Sequence, residues 1–102
     1  MNELINIEAK NTLTSLEVAE ITGKDHKSIL RDIRDEIDKL GEERGRLIFV
    51  PTEYTDNFNR KQPAFLLNYK GVLQLGARYN AETRFKLIEK IEQLQKPMTV
   101  ED

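Results

Sequence analysis

The chain has no cysteine and a single histidine in 102 residues. Without thiols there is no disulfide framework and no thiolate metal cage, which fits a reducing compartment. No run of the sequence approaches the roughly 20 apolar residues of a membrane-spanning helix. The opening MNELINIEAK is acidic and lacks the apolar centre of a signal peptide. An excess of positive charge is also missing: the formal net charge is -2 and the sequence pI about 5.5. Those values exclude a general polyanion binder, so any nucleic-acid contact has to come from a local patch. Catalytic signatures are lacking too. There is no HExxH, no P-loop glycine spacing around TGKD, and no Ser or Cys motif beside a base. Asp25-His26-Lys27 contains an acidic-x-Lys pattern of the kind nucleases use, but it sits at a helix start with no strand context. No cofactor or metal is implied. What is present is 38% apolar and 33% charged residues, the balance of one small globular domain with a modest core and a charged surface.

There is no internal repeat and no low-complexity tract. Leu4, Ile5 and Ile7, interleaved with polar residues, suggest a short first strand. Thr14-Ser15-Leu16-Glu17 is a capping-box pattern that opens a helix to about Thr22. Gly23 follows, suited to a left-handed C-cap, and Asp25 is a good N-cap for the next helix. Ile29, Leu30, Ile33, Ile37 and Leu40 recur at helical spacing until Gly41 stops the run. GEERGR, residues 41–46, reads as a polar loop. LIFVPTEY, 47–54, reads as a strand that Pro51 confines to a sheet edge. TDNFNRKQ, 55–62, is turn chemistry, and PAFLLNY, 63–69, is the returning strand. Asn68 caps a helix over about 69–79, Asn80 caps a last one over about 81–95, and Pro97 ends ordered helix.

The element order predicts an α+β domain with a small antiparallel sheet. Two helices joined by a Gly-containing turn and followed by a hairpin outline a winged helix-turn-helix. The third helix that winged domains usually place before the hairpin is not apparent in this sequence.

On a helical wheel at about 100° per residue, residues 26–40 separate their charges. Lys27, Arg31 and Arg34 share one flank of the apolar arc, and Asp32, Asp35, Glu36 and Ser28 take the other. Lys24, His26, Lys27, Ser28, Arg31 and Arg34 supply the residue types that contact phosphates and base edges. The bland alternative is a solvated charged face with surface pairs such as Arg31–Asp35 or Lys27–Asp32. His26 falls toward the apolar side, as a partly buried, hydrogen-bonded histidine does. At the hairpin apex Asn59, Arg60 and Lys61 suit a wing that lies along a sugar-phosphate backbone. Phe58 is the one aromatic placed to stack on a base; Tyr54, Tyr69 and Tyr79 read as core or sheet-packing residues. Leu87, Ile91 and Leu94 at heptad spacing, beside Phe85 and Ile88, are a core face that a homodimer could share.

Two stretches, TSLEVAEITGKDHKSILRDIRDEI and FVPTEYTDNFNRKQPAFLLNYKGVLQLGARY, resemble the Rha family of phage regulatory proteins. The shared pattern is a T/S-x-x-VAE helix start, a GK-x-H turn, an LRDI helix, an Asn- and Arg/Lys-containing hairpin and a helix opening near Lys70-Gly71. The likeness spans about residues 4–95. It points to Gly23, Lys24, His26, Leu30, Arg31 and Ile33 as signature positions. It implies a phage or prophage transcriptional regulator or antirepressor, working in the bacterial cytoplasm. The partner is then duplex DNA, or a phage repressor protein engaged through Phe58 and Arg60. No catalytic residue is carried over. The resemblance also implies a regulatory domain over 1–96, with 97–102 starting a linker toward a further domain.

Overall fold

Thr14 begins the first helix by reciprocal capping. Its Oγ1 accepts the Glu17 N–H at 3.0 Å, and Glu17 Oε1 accepts the Thr14 N–H at 2.8 Å. In the computed structural model, which describes residues 11–95, helix α1 spans Ser15–Thr22. Gly23 follows at φ 74 and ψ 13, and its N–H bonds Ala19 O at 2.9 Å. This is the left-handed cap that only glycine takes cheaply. Helix α2 spans His26–Leu40 with Asp25 at the N-cap position; Asp25 caps through its carbonyl, which receives Ser28 N and Ile29 N, and not through its side chain.

The segment read as a polar loop is instead a helix, α3, over Glu42–Ile48. Two glycines gave it the look of a loop, and they do different work. Gly41, at φ 96, breaks the chain between α2 and α3. Gly45 is a packing residue: a Cβ there would lie 2.8 Å from Ile37 Cα, so its absence lets α3 rest on α2. Glu42 and Arg46 pair one turn apart, which supports the short helix. The third helix of a winged domain is therefore present. Because Leu47 and Ile48 belong to α3, the strand begins later than their hydrophobicity suggests.

Strand β1 covers Leu13–Thr14, β2 Phe49–Thr55 and β3 Lys61–Leu67. The sheet order is β1-β3-β2, all antiparallel, with Leu13 and Phe49 both opposite Leu67. Pro51 sits on the edge strand, where a missing N–H is tolerated. The expected strand over Leu4–Ile7 lies outside the described residues. The two-residue β1 carried no alternation by which to find it. Helix α4 spans Tyr69–Gly76, shorter than the expected run to 79, and α5 spans Ala81–Gln95. Asn68 Oδ1 accepts Gly71 N at 2.9 Å and Asn80 Oδ1 accepts Thr83 N at 2.8 Å, as their capping chemistry suggests.

The core joins every layer. Leu13, Val18, Ile29, Ile33, Phe49, Leu67, Leu75, Leu87 and Ile91 are fully buried. Each such aliphatic or aromatic side chain contributes roughly 1.5–3 kcal/mol. Leu87 and Ile91 fill the core from α5, and half-buried Leu94 packs against it, so the heptad row of that helix faces inward; Phe85 remains its exposed apolar residue. The architecture is α+β and winged-helix-like, with a β-hairpin after the helix-turn-helix and two helices behind it. Among the described residues no helix is long and apolar enough to cross a membrane.

Candidate nucleic-acid interface

Helix α2 carries two charged flanks, bridged only where Arg31 meets Asp32 among the described residues. Lys27, Arg31 and Arg34 are exposed, and so is Lys24 in the preceding turn. Among the described residues Lys27 and Arg34 enter no ion pair. Arg31 reaches Asp32 only at 3.7 Å, with its side chain 73% exposed. Lys24 Nζ stands 4.9 Å over the Tyr79 ring, and the Arg34 guanidinium 6.0 Å over the Phe65 ring of β3. Lys24 and Arg34 are thus steadied by aromatic faces rather than by carboxylates.

The acidic flank is occupied elsewhere. Arg78, in the turn between α4 and α5, bonds Glu36 Oε2 at 2.8 Å and Asp35 Oδ2 at 3.1 Å, and lies 3.5 Å from Asp32. Tyr79 donates its hydroxyl to Asp32 Oδ2 at 2.7 Å, and Gln74 Nε2 donates to Glu36 Oε1 at 2.9 Å. Burial, and then the bond to Asp32, pushes the Tyr79 phenol well above its ordinary value. The Lys39 and Arg78 hydrogen bonds hold the Asp35 carboxyl below its ordinary range. The pairs imagined between Arg31 and Asp35, or Lys27 and Asp32, do not form. Arg78, more than 40 positions away in sequence, takes these carboxylates instead.

The joint between helix and hairpin is a polar knot. Ser15 is fully buried. Its Oγ accepts the Phe65 N–H of β3 at 3.0 Å and lies 2.8 Å from His26 Nε2 at the start of α2. The His26 ring also meets Tyr54 of β2 edge-on, with centroids 5.6 Å apart. Tyr54 pairs with Gln62, one register step from the Thr55–Lys61 pair that closes the strands. The first turn of α2 therefore lies beside the outer half of the hairpin. Burial, and then the nearby Arg34 cation, lowers the His26 pKa below 6.5. His26 is neutral near pH 7 and acts as a staple, as its place on the wheel suggests.

The hairpin tip is organised by Asp56. One carboxylate oxygen accepts the Phe58 and Arg60 N–H groups, both at 2.9 Å; the other accepts Arg60 Nε at 3.0 Å and Gln62 Nε2 at 3.1 Å. These bonds, the Arg60 N–H first, hold the Asp56 carboxyl below its usual range. Asn59 takes a left-handed conformation at φ 62, as Asx-type turn chemistry allows. Arg60 lies 5.0 Å over the Phe58 ring, which is 77% exposed. Arg60 is therefore partly spent on Asp56, and among the described residues Lys61 enters no ion pair.

A family model described as phage regulatory protein Rha matches residues 13–96, most of the chain. The chain belongs to the Rha family. No curated protein and no solved structure matches it. In this Rha-family domain the positions singled out by the sequence resemblance fall on the turn and the first half of α2. Leu30 and Ile33 are buried there, Gly23 makes the turn, His26 is the staple, and Lys24 and Arg31 are exposed. Ser28 is half-buried on the same turns. Sequence reasoning missed Ser15 and Arg78, and read Asp56 only as part of a turn-forming stretch. Asp56 carried a local signal, two residues before Phe58 in an Asx turn. Ser15 and Arg78 act across the fold and carried none.

Proposed function

We propose that this domain binds duplex DNA as a winged helix-turn-helix. The first turns of α2 enter a groove with Lys27, Ser28 and Arg31. Lys24, Arg34 and the wing residues Asn59, Arg60 and Lys61 contact the sugar-phosphate backbone. The observation that carries this reading is the His26–Tyr54 contact, which sets the start of the basic flank beside the wing. The Arg78 clamp adds support, because it draws Asp32, Asp35 and Glu36 into a network of their own. A chain of net charge -2 can contact DNA in this way because its charges are sorted by face. His26, neutral and engaged by Ser15, orients the helix and brings no charge to the phosphates.

One observation favours a second reading, an antirepressor that docks on a phage repressor. Phe58 projects from a tip that Asp56 holds rigid, with Arg60 stacked on it, and aromatic and Arg residues dominate protein-binding hot spots. The two readings separate in one experiment on the hairpin. Under DNA binding, Lys61→Ala weakens duplex binding for every sequence and lowers the salt slope by about one unit, while Phe58→Ala does little. Under repressor docking, Phe58→Ala costs the protein complex about 2 kcal/mol and no variant binds duplex at physiological salt.

A further inference from the structure

At the base of the sheet, away from the wing tip, α3, the start of β2 and α4 enclose a groove of about 1070 Å³. Leu47, Val50, Tyr69 and Leu73 give it apolar walls, and Arg44 and Lys70 stand on its rim. Leu47 is 70% exposed and Val50 42%, large apolar surfaces for a domain of this size. The volume is too large for one side chain to fill, and among the described residues no carboxylate lines it.

We infer that this groove is the docking site of the chain's own N-terminal segment, residues 3–8. Three features of the molecule favour that occupant. Asn11 itself lines the groove, and Gln95 Nε2 bonds its carbonyl at 3.1 Å, so the chain leading to residue 10 starts at the groove mouth. Four residues of extended chain span about 13 Å, enough to carry Ile7 from Asn11 onto the apolar walls. The composition is complementary: Leu4, Ile5 and Ile7 supply apolar side chains, and Glu3 and Glu8 flank them with charge opposite to Arg44 and Lys70. The docking does not depend on what the basic face binds.

The test exploits the cysteine-free sequence. A nitroxide on Asn2→Cys in the full chain should strip intensity from the amide signals of Leu47, Val50 and Leu73 and spare those of Phe58 and Asn59. Adding Leu4→Asp and Ile7→Asp to the labelled chain should restore the groove signals. Loss that survives those substitutions would reflect the tether alone and overturn the docking. Loss seen only when labelled chains are mixed with isotope-labelled, spin-free chains would mean that a second copy fills the groove. Loss from a label at Glu101→Cys, with none from Asn2→Cys, would assign the groove to the C-terminal end. Either result, or intact groove signals throughout, refutes the inference.

Discussion

Ser15→Ala is the most informative single change to the fold, because one hydroxyl ties α1, α2 and β3 together. The substitution removes the acceptor of the buried Phe65 N–H and the partner of His26 Nε2. A buried polar group left without a partner costs about 1–3 kcal/mol. Phe65 is 7% exposed and water does not readily replace Ser15 there, whereas half-buried His26 can recover part of its loss. The combined cost is then about 2–4 kcal/mol, a large share of the roughly 5–15 kcal/mol that holds a small domain together. Such a loss lowers Tm by roughly 10–20 °C in a chain of this length. Urea denaturation should show a lower midpoint at unchanged slope. A double-mutant cycle with His26→Ala should return a coupling of about 0.5–3 kcal/mol, since the two side chains share one bond. A loss under about 0.5 kcal/mol for Ser15→Ala would place this site among ordinary surface substitutions and refute the polar knot.

Arg78→Ala should destabilise the domain by about 2–3 kcal/mol, less than a fully buried ion pair because the Arg78 side chain is 30% exposed; a melt unchanged from wild type would show the carboxylates solvated without it. Gly23→Val should cost about 1–2 kcal/mol from backbone strain alone, because nothing lies within 4 Å of the added Cβ; a larger loss in urea would mean a clash and not strain. The lowered His26 pKa makes stability depend on pH. Between the folded value and 6.5 the unfolded chain takes up a proton that the folded chain refuses, so stability is fully present above pH 6.5 and falls as pH drops through the folded value. Urea midpoints across pH 7 to 5 should show that decline, and His26→Gln should remove it; an unchanged slope in His26→Gln would assign the titration to other groups. Asp35 and Asp56, both lowered below 3.8, add a separate loss at more acid pH.

What the sequence made legible was local. Thr14 and Glu17, Gly23, Asn68 and Asn80 fix their helix ends through bonds to residues within four positions, and a pattern of a few letters carries such bonds. The apolar spacing of α2 marked its core face correctly. Residues 42–48 failed for a tertiary reason. Gly45 lowers helix propensity, yet its missing Cβ is what lets α3 approach Ile37. The basic flank was visible in the spacing of Lys27, Arg31 and Arg34. Its setting was not: the engagement of the carboxylates depends on Arg78 and the neighbouring wing on Ser15 and Tyr54, contacts that span 28 to 50 positions.

The most direct test of DNA contact through α2 and the wing is a titration of the full chain with duplex DNA at two salt concentrations. Lys24, Arg34, Arg60 and Lys61 neutralising four phosphates would give a log–log salt slope of about -3 to -4, hence roughly hundredfold weaker binding at 200 mM than at 50 mM salt. Lys27→Glu with Arg31→Glu should abolish measurable binding while leaving the thermal melt in place. No duplex binding at low salt, or binding that neither salt nor the double substitution weakens, would contradict DNA recognition by this face.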